Sequence, residues 1–421
     1  MNDLKTIVNE KEYRQFKGAD WPHYNDFISG SYFVSDQIKQ ELNDFIGIME
    51  QQYQDITSTR TVELSVSNQK RQKHIFFDKK YIGGQVCTIP WKTLGINSNG
   101  NIFICESPSW IPIFIGNILE TDNIFDILNN DKAKKIRQEI LANRYFYCNS
   151  DICGFFQHQD TSSYTSNYNE NDTVALPLKD DDTLQIKDIP SQLIFDFDYS
   201  CNFKCPSCRT EYQNYNRHHI IRPLNEKIST KIKNLIIDKI KDQPTTIRWC
   251  GGEPFMSDVY IDLFEYIIQT KNKNIKNIIQ TNGSLLITKQ KLVEKLLPYT
   301  KDLRISFDAG TEETYQLTRV GGNWQNLIDN VKFVKKLIQE NNLTTNIYAD
   351  FVVQKNNYRD LPAFATLCKE LGMQVNIQKM WNWGTWDSDT FDDMNVYNKN
   401  HPLYQDLVTQ FEVSHLTMAK N

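Results

Sequence analysis

The sequence predicts an α/β protein. Its C-terminal half should be a parallel sheet with crossover helices, wound open or curled into a partial (β/α)6 TIM-like barrel, and a smaller cysteine-bearing domain should precede it. Three observations carry this. From about residue 191 onward, six short runs rich in β-branched and aromatic residues alternate with amphipathic helical stretches, the pattern of parallel strands joined by helices. Seven of the nine cysteines fall into two groups, 87–153 and 201–208. Between the groups, residues 159–190 turn rich in Ser, Thr, Asn, Asp and Tyr, a composition that marks a linker or surface loop.

Residues 1–80 read as mostly helical and polar, with Ile38, Leu42, Phe45, Ile46 and Met49 on one face of residues 35–52. Residues 81–158 hold the first four cysteines, and residues 96–105 read as a hairpin because Asn99-Gly100 supplies the positive φ of a tight turn. Residues 123–143 read as one helix carrying Ile124, Ile127, Leu128, Ile136 and Ile140. In the barrel half, 191–385, strands are expected over 193–197, 245–249, 278–280, 303–307, 347–353 and 375–379. Helices are expected over 226–241, 259–270, 289–297, 324–338 and 361–371. Residues 386–421 read as a C-terminal tail.

Composition narrows the function. The chain has 421 residues, 40% of them hydrophobic, enough for two or three packed domains. The net charge of −5, with no long basic run, argues against binding nucleic acid through its backbone. No apolar run approaches the ~20 residues of a membrane span. Met1 to Phe16 is charged throughout and has no apolar signal core, so the expected location is the cytoplasm. In that reducing compartment clustered thiols point to metal rather than to disulfides.

The second cysteine group reads Cys201-Asn202-Phe203-Lys204-Cys205-Pro206-Ser207-Cys208, directly after the first strand of the alternating half. Three thiolates on one loop can hold three irons of a [4Fe–4S] cube and leave the fourth iron open to a small molecule. A zinc site is the competing reading, although structural zinc usually takes four ligands and no fourth Cys or His lies close by. The loop sits at the C-terminal end of a parallel strand, where such folds place their active sites.

This spacing resembles the radical S-adenosylmethionine (SAM) superfamily, and four later motifs resemble it in the same order. Trp249-Cys250-Gly251-Gly252-Glu253-Pro254 looks like its GGEP segment, and Gln280-Thr281-Asn282-Gly283 like its TNG segment. Arg304-Ile305-Ser306-Phe307-Asp308-Ala309-Gly310 looks like its fourth strand, and Thr318-Arg319-Val320-Gly321-Gly322 like the Arg-bearing segment that follows. The resemblance implies that Cys201, Cys205 and Cys208 hold the cube and that SAM chelates its open iron. It further implies that Gly251, Gly252, Glu253 and Pro254 line the methionyl end of SAM and that Asn282 lies at the next strand end. Ser306 and Asp308 would meet the ribose, and Arg319 would pair with the SAM carboxylate. A surface salt bridge is the other reading of Arg319.

Cys87, the Gly100 turn, Cys105, Cys148 and Cys153 resemble a SPASM or twitch domain, which carries auxiliary iron–sulfur clusters. That domain usually follows the barrel, whereas here it precedes it, and the last pair is spaced C-x4-C instead of C-x2-C. Four thiolates would ligate one auxiliary [4Fe–4S] cluster fully, favouring electron transfer or structure. Zinc suits the same donor set, and His158 is a distant substitute ligand. Cys250 and Cys368 read as packing residues, Arg217-His218-His219 as a solvated loop, and Trp381, Trp383 and Trp386 as mouth or packing residues. The activity implied is reductive cleavage of SAM to a 5′-deoxyadenosyl radical that abstracts hydrogen from a substrate. A one-electron reductant such as flavodoxin or ferredoxin would supply the electron. A peptide or protein is the first substrate expected and a small metabolite such as a sugar or nucleotide the second. A non-catalytic iron–sulfur partner-binding protein is the reading from another class.

Overall fold

The computed structural model describes residues 85–111, 113–141, 147, 148, 153, 173–175, 184–216, 219–382 and 385–418. The helix expected over 35–52, together with His158, Arg217, His218 and Trp383, lies outside the described residues. The chain divides into two compact units, one centred on 22–194 and one on 195–233 with 241–420.

In the first unit, strand β1 (Gln85–Cys87) is followed by a short helix α1 (Ile89–Lys92), β2 (Thr93–Asn97), β3 (Asn101–Phe103) and β4 (Gly116–Asn117). β2 and β3 form the expected antiparallel hairpin, pairing Gly95 with Phe103 and Ile96 with Ile102. Its turn runs through Gly100 at φ 77°, and the Asn97 side chain accepts from the N–H groups of Asn99 and Asn101. The single helix expected over 123–143 is two helices, α2 (Ile124–Leu128) and α3 (Asp131–Leu141). The break falls at Asn129-Asn130, because both amides serve other backbone groups. Asn129 exchanges two hydrogen bonds with the backbone of Ile186, while Asn130 accepts from Ala133 N–H as an N-cap residue does.

Those bonds also anchor part of the stretch expected as a linker or surface loop over 159–190, of which 173–175 and 184–190 are described. Residues 173–175 form β5 (Thr173–Ala175), antiparallel to β1, and Ile186 and Ile189 are buried. The fully buried Arg137 donates to the carbonyls of Pro90, Leu128 and Leu184, fixing three segments with one guanidinium.

The second unit holds the parallel strands. β6 (Gln192–Asp196) is followed by helix α4 (Arg222–Leu235), β7 (Thr245–Trp249), α5 (Asp258–Thr270), β8 (Ile275–Thr281), α6 (Gln290–Leu296) and β9 (Thr300–Ser306). After these come α7 (Glu312–Thr318), α8 (Trp324–Glu340), β10 (Asn346–Val353), α9 (Leu361–Leu371) and β11 (Gln374–Lys379). β6 to β11 lie side by side in sequence order. β7 to β11 pair in parallel. Helix α4 starts four residues earlier than expected, with Pro223 in its first turn, where a missing N–H costs nothing. Strands β8 and β9 each begin three residues early, at Ile275 and Thr300.

Burial alternates along β7 and β8. Trp249 is fully buried and packs edge-on against Phe195, Tyr260 and Phe264, so that face meets helix α5. The opposite face carries Gln280, Arg304, Ser306, Asp350 and Asn376, bonded to one another across four strands. A sheet covered by helices on both faces would be apolar on both. One apolar and one polar face fits a sheet that curls its polar side inward around a site.

The expected tail is structured. Helices α10 (Ser388–Met394) and α11 (Tyr404–Ser414) belong to this unit. Leu407 and Phe411 are buried, and Asp406 accepts from Tyr358 at 2.7 Å and pairs with Arg359 at 2.8 Å. Cys368 packs in the core as expected, and burial pushes its thiol up to about 12. Among the described residues, no helix is long and apolar enough to cross a membrane.

Candidate functional site

The site begins where β6 ends. Tyr260, anchored in helix α5 and fully buried, accepts at its hydroxyl from the N–H groups of Phe197 and Asp198 at 2.9 and 3.1 Å. The same hydroxyl lies 3.1 Å from the Cys250 carbonyl, so one side chain aligns the ends of two strands. Asp198 then caps Ser200 N–H at 2.7 Å and accepts from Ser257 at 2.9 Å. Cys201 follows, its N–H bonded to the Gln213 carbonyl at 2.7 Å. Cys208 and Arg209 both donate their N–H to the Cys205 carbonyl, which curls the loop into a turn.

Cys201 and Cys205 are buried and Cys208 is exposed. Each thiol has a nitrogen donor. Cys201 Sγ accepts from Phe203 N–H at 3.4 Å and faces the Asn282 amide at 4.0 Å. Cys205 Sγ faces Arg319 Nη1 at 3.6 Å, and Cys208 Sγ faces Arg209 Nη2 at 3.5 Å. Burial pushes the Cys201 thiol up to about 11, with Arg209 drawing it back. Cys205 is raised for the same first reason, with Arg319 opposing it. Donors placed on all three sulfurs suit iron-bound thiolates.

The remaining motif residues surround this loop, and several side chains are occupied differently from the expectation. Gly252 packs so closely on the loop that a Cβ would lie 2.1 Å from the Ser200 carbonyl oxygen. Glu253 does not face outward. Its buried carboxylate accepts from Thr281 at 2.7 Å, Asn282 N–H at 2.6 Å and Phe255 N–H at 3.1 Å, tying two strand ends together. Burial still lifts it to about 7. Pro254 is buried beside it. Asn282 bonds Asn202 at 2.9 Å and Ser284 at 2.7 Å, which holds it on the cysteine loop. Ser306 accepts from Gln280 at 2.9 Å. Asp308 sits at φ 53°, accepts from Val352 N–H at 2.7 Å and pairs with Arg319 at 2.8 Å. Arg319 is thus in a salt bridge, but a buried one, and its Nε has no partner among the described residues.

The sequence reading missed Arg209, whose guanidinium reaches Tyr199 O, Gln213 Oε1, Gly251 O and Cys208 Sγ. A cation next to a clustered cysteine was the available signal. It also missed Asp196, the last residue of β6, whose Oδ1 is buried without a partner among the described residues. Burial raises that carboxyl to about 7, while Tyr199 draws it down. Of the residues read as bland, Cys250 lies partly exposed just past β7. His219 stacks against Tyr215, and Trp381 is exposed.

In the other unit, Cys87, Cys105, Cys148 and Cys153 are all buried. Burial raises the Cys105 thiol first, then Cys153 and Cys87 raise it further. Cys148 is raised by burial and then by Cys153, Cys105 and Cys87. Four thiols that repel one another's charge share one neighbourhood, and a metal group resolves that repulsion. Among the described residues no three such groups converge as a single metal ion requires.

Residues 198–363 match the family model of the radical SAM superfamily, and residues 87–153 match that of an iron–sulfur cluster-binding domain, SPASM. A probable GTP 3',8-cyclase of Methanococcus aeolicus is 29% identical over 182 residues, covering 42% of this chain and 55% of that protein. The chain therefore spans about half the length of the curated relative it matches. Two solved structures of anSMEcpe with bound AdoMet, one of the native protein and one of a histidine-tagged form, each align at 20% identity. They cover 45% and 46% of this chain and 51% of each of those chains, with TM-scores of 0.32 and 0.31.

Proposed function

We propose that this chain, which belongs to the radical SAM superfamily through residues 198–363 and carries a SPASM cluster-binding domain at residues 87–153, cleaves SAM reductively and takes hydrogen from a substrate with the radical so formed. The observation that carries the reading is the loop of Cys201, Cys205 and Cys208, with a nitrogen donor at every sulfur. The residues present fit a [4Fe–4S] cube: three thiols supply three ligands, and the buried Arg319 Nε is left without a partner beside them. When bound, the cube and SAM supply the one-electron chemistry that breaks the sulfonium S–C5′ bond.

The protein's part is to hold and to exclude. Cys201, Cys205 and Cys208 would anchor the cube and leave one position open. Gly251 and Gly252 bring bare backbone beside the loop, where carbonyls can receive an ammonium. Arg319 Nε is a donor available to the SAM carboxylate. Ser306 offers its hydroxyl to the ribose. Asp308, already bonded to Arg319, acts by fixing that guanidinium. Cys87, Cys105, Cys148 and Cys153 would hold the auxiliary cluster, which can accept an electron after hydrogen abstraction. An outside one-electron reductant such as flavodoxin or ferredoxin serves the first cube.

A peptide or protein is the substrate proposed first, as the SPASM-like domain implies. A small metabolite such as a nucleotide is the second reading, favoured by the likeness to a probable GTP 3',8-cyclase. Anaerobic reconstitution followed by dithionite reduction with SAM tests the core claim by the appearance of 5′-deoxyadenosine. Its absence from protein carrying a full cube overturns the reading. Nucleoside triphosphates and peptides encoded beside the gene, each added as substrate, separate the two substrate classes by which one raises 5′-deoxyadenosine yield.

A further inference from the structure

We propose that Arg209 sets the reduction potential of the cube on Cys201, Cys205 and Cys208, through an uncompensated charge and an N–H bond to Cys208; this rests on the cluster reading above. Cluster potentials respond to net charge, to hydrogen bonds on the sulfurs and to solvent exposure. The three cysteines differ in their donors, and Cys208 differs from the other two in exposure. Cys201 receives neutral donors, a backbone N–H and an amide. Cys205 faces a guanidinium whose charge Asp308, 2.8 Å from it, partly offsets. Cys208, the exposed member, faces Arg209.

Among the described residues Arg209 has no carboxylate partner. Its bonds go to the Tyr199 carbonyl at 2.8 Å, the Gly251 carbonyl at 3.2 Å, Gln213 Oε1 at 3.4 Å and Cys208 Sγ at 3.5 Å. Glu253, the acid that feels its charge, keeps its own oxygens on Thr281, Asn282 and Phe255. The positive charge of Arg209 is therefore left for the sulfurs. Reduction adds one negative charge to an already anionic group, and a fixed cation beside it favours the reduced form. The two carbonyl bonds hold the guanidinium in place, so this charge cannot swing into solvent. Arg209 is thus a positioning residue for the loop and a tuning residue for the cube.

The test is a redox titration of the reconstituted full chain followed by electron paramagnetic resonance. The signal that changes on adding SAM identifies this cube and separates it from the auxiliary cluster. Arg209→Gln should lower the equilibrium constant for reduction at least tenfold, about 59 mV for one electron. Arg209→Lys, which keeps the charge, should shift it by less than half as much. A fully loaded Arg209→Gln protein with an unchanged potential overturns the inference. So does failure of both variants to assemble the cube, which would make Arg209 a folding brace. Wild-type protein without any SAM-responsive cube would instead refute the cluster reading beneath it.

Discussion

Arg319 and Asp308 form a buried 2.8 Å ion pair, with side chains 13% and 3% exposed. The motif resemblance placed one against the SAM carboxylate and the other against the ribose; in the fold they face each other. Removing one partner of a buried pair strands the other charge. Asp308→Ala should therefore destabilise the protein by about 3–5 kcal/mol in chemical denaturation. Asp308→Ala combined with Arg319→Met should recover part of that loss. Equal costs for the single and double variants would show that the pair is not the cause.

Replacing Cys201, Cys205 or Cys208 singly by Ala should abolish 5′-deoxyadenosine formation. Each change removes one of the three ligands proposed on the loop. Chromatography after dithionite reduction reads the outcome, and normal yield from any of the three disproves the assignment.

Gly252→Ala should weaken SAM binding at least tenfold. The added Cβ would meet the Ser200 carbonyl oxygen at 2.1 Å, a backbone atom next to Cys201 that no side-chain rotation can clear. Equilibrium dialysis of reconstituted protein measures the affinity, and wild-type binding would mean the loop yields freely.

Stability should carry a pH signature from Asp196. Its carboxyl sits at about 7 in the fold against an ordinary 3.8, so the folded state holds the proton more tightly than the unfolded one. The stability this contributes is complete below about pH 4 and is lost as pH rises through about 7. Asp196→Asn should flatten that slope and raise stability at pH 8, on the order of 1 kcal/mol. Denaturation midpoints at pH 5 and 8 decide it, and an unchanged slope counts against the buried, unpartnered Oδ1 as its source.

Cys87→Ala with Cys105→Ala should leave some 5′-deoxyadenosine formation while ending substrate turnover. The ligands proposed for the SAM cube all come from residues 201–208, so on that proposal the first cut does not need the other cysteines. Iron should fall from about eight to about four per chain, as for the loss of one four-iron cluster. Circular dichroism must first show an intact fold, since losing a metal group can unfold its own domain. A folded variant with no 5′-deoxyadenosine would place electron entry at the auxiliary cluster instead.

What the sequence made legible was whatever had a period or a motif. Strand β7 and helix α9 were expected at their observed bounds, 245–249 and 361–371, because alternation and a 3.6-residue stripe are local. The break at Asn129-Asn130 was hidden because the two amides answer to partners such as Ile186, far away in sequence. Helices α10 and α11 were hidden because a polar, acidic stretch gives a weak stripe. The cysteines pointed to the candidate site, yet the partners of Glu253, Asp308 and Arg319 were out of reach. A motif places a residue at a strand end, whereas the direction of its side chain depends on neighbours contributed by other strands.

The pairing of β1 with β5 has a consequence for the order of synthesis. Gln85–Cys87 finds its strand partner in Thr173–Ala175; Cys87 is the last residue of the first strand, and Cys105, Cys148 and Cys153 lie between the two. A ribosome must therefore release Cys105, Cys148 and Cys153 before that strand pair can form. The pairing can thus form only after the last of these thiols has left the ribosome.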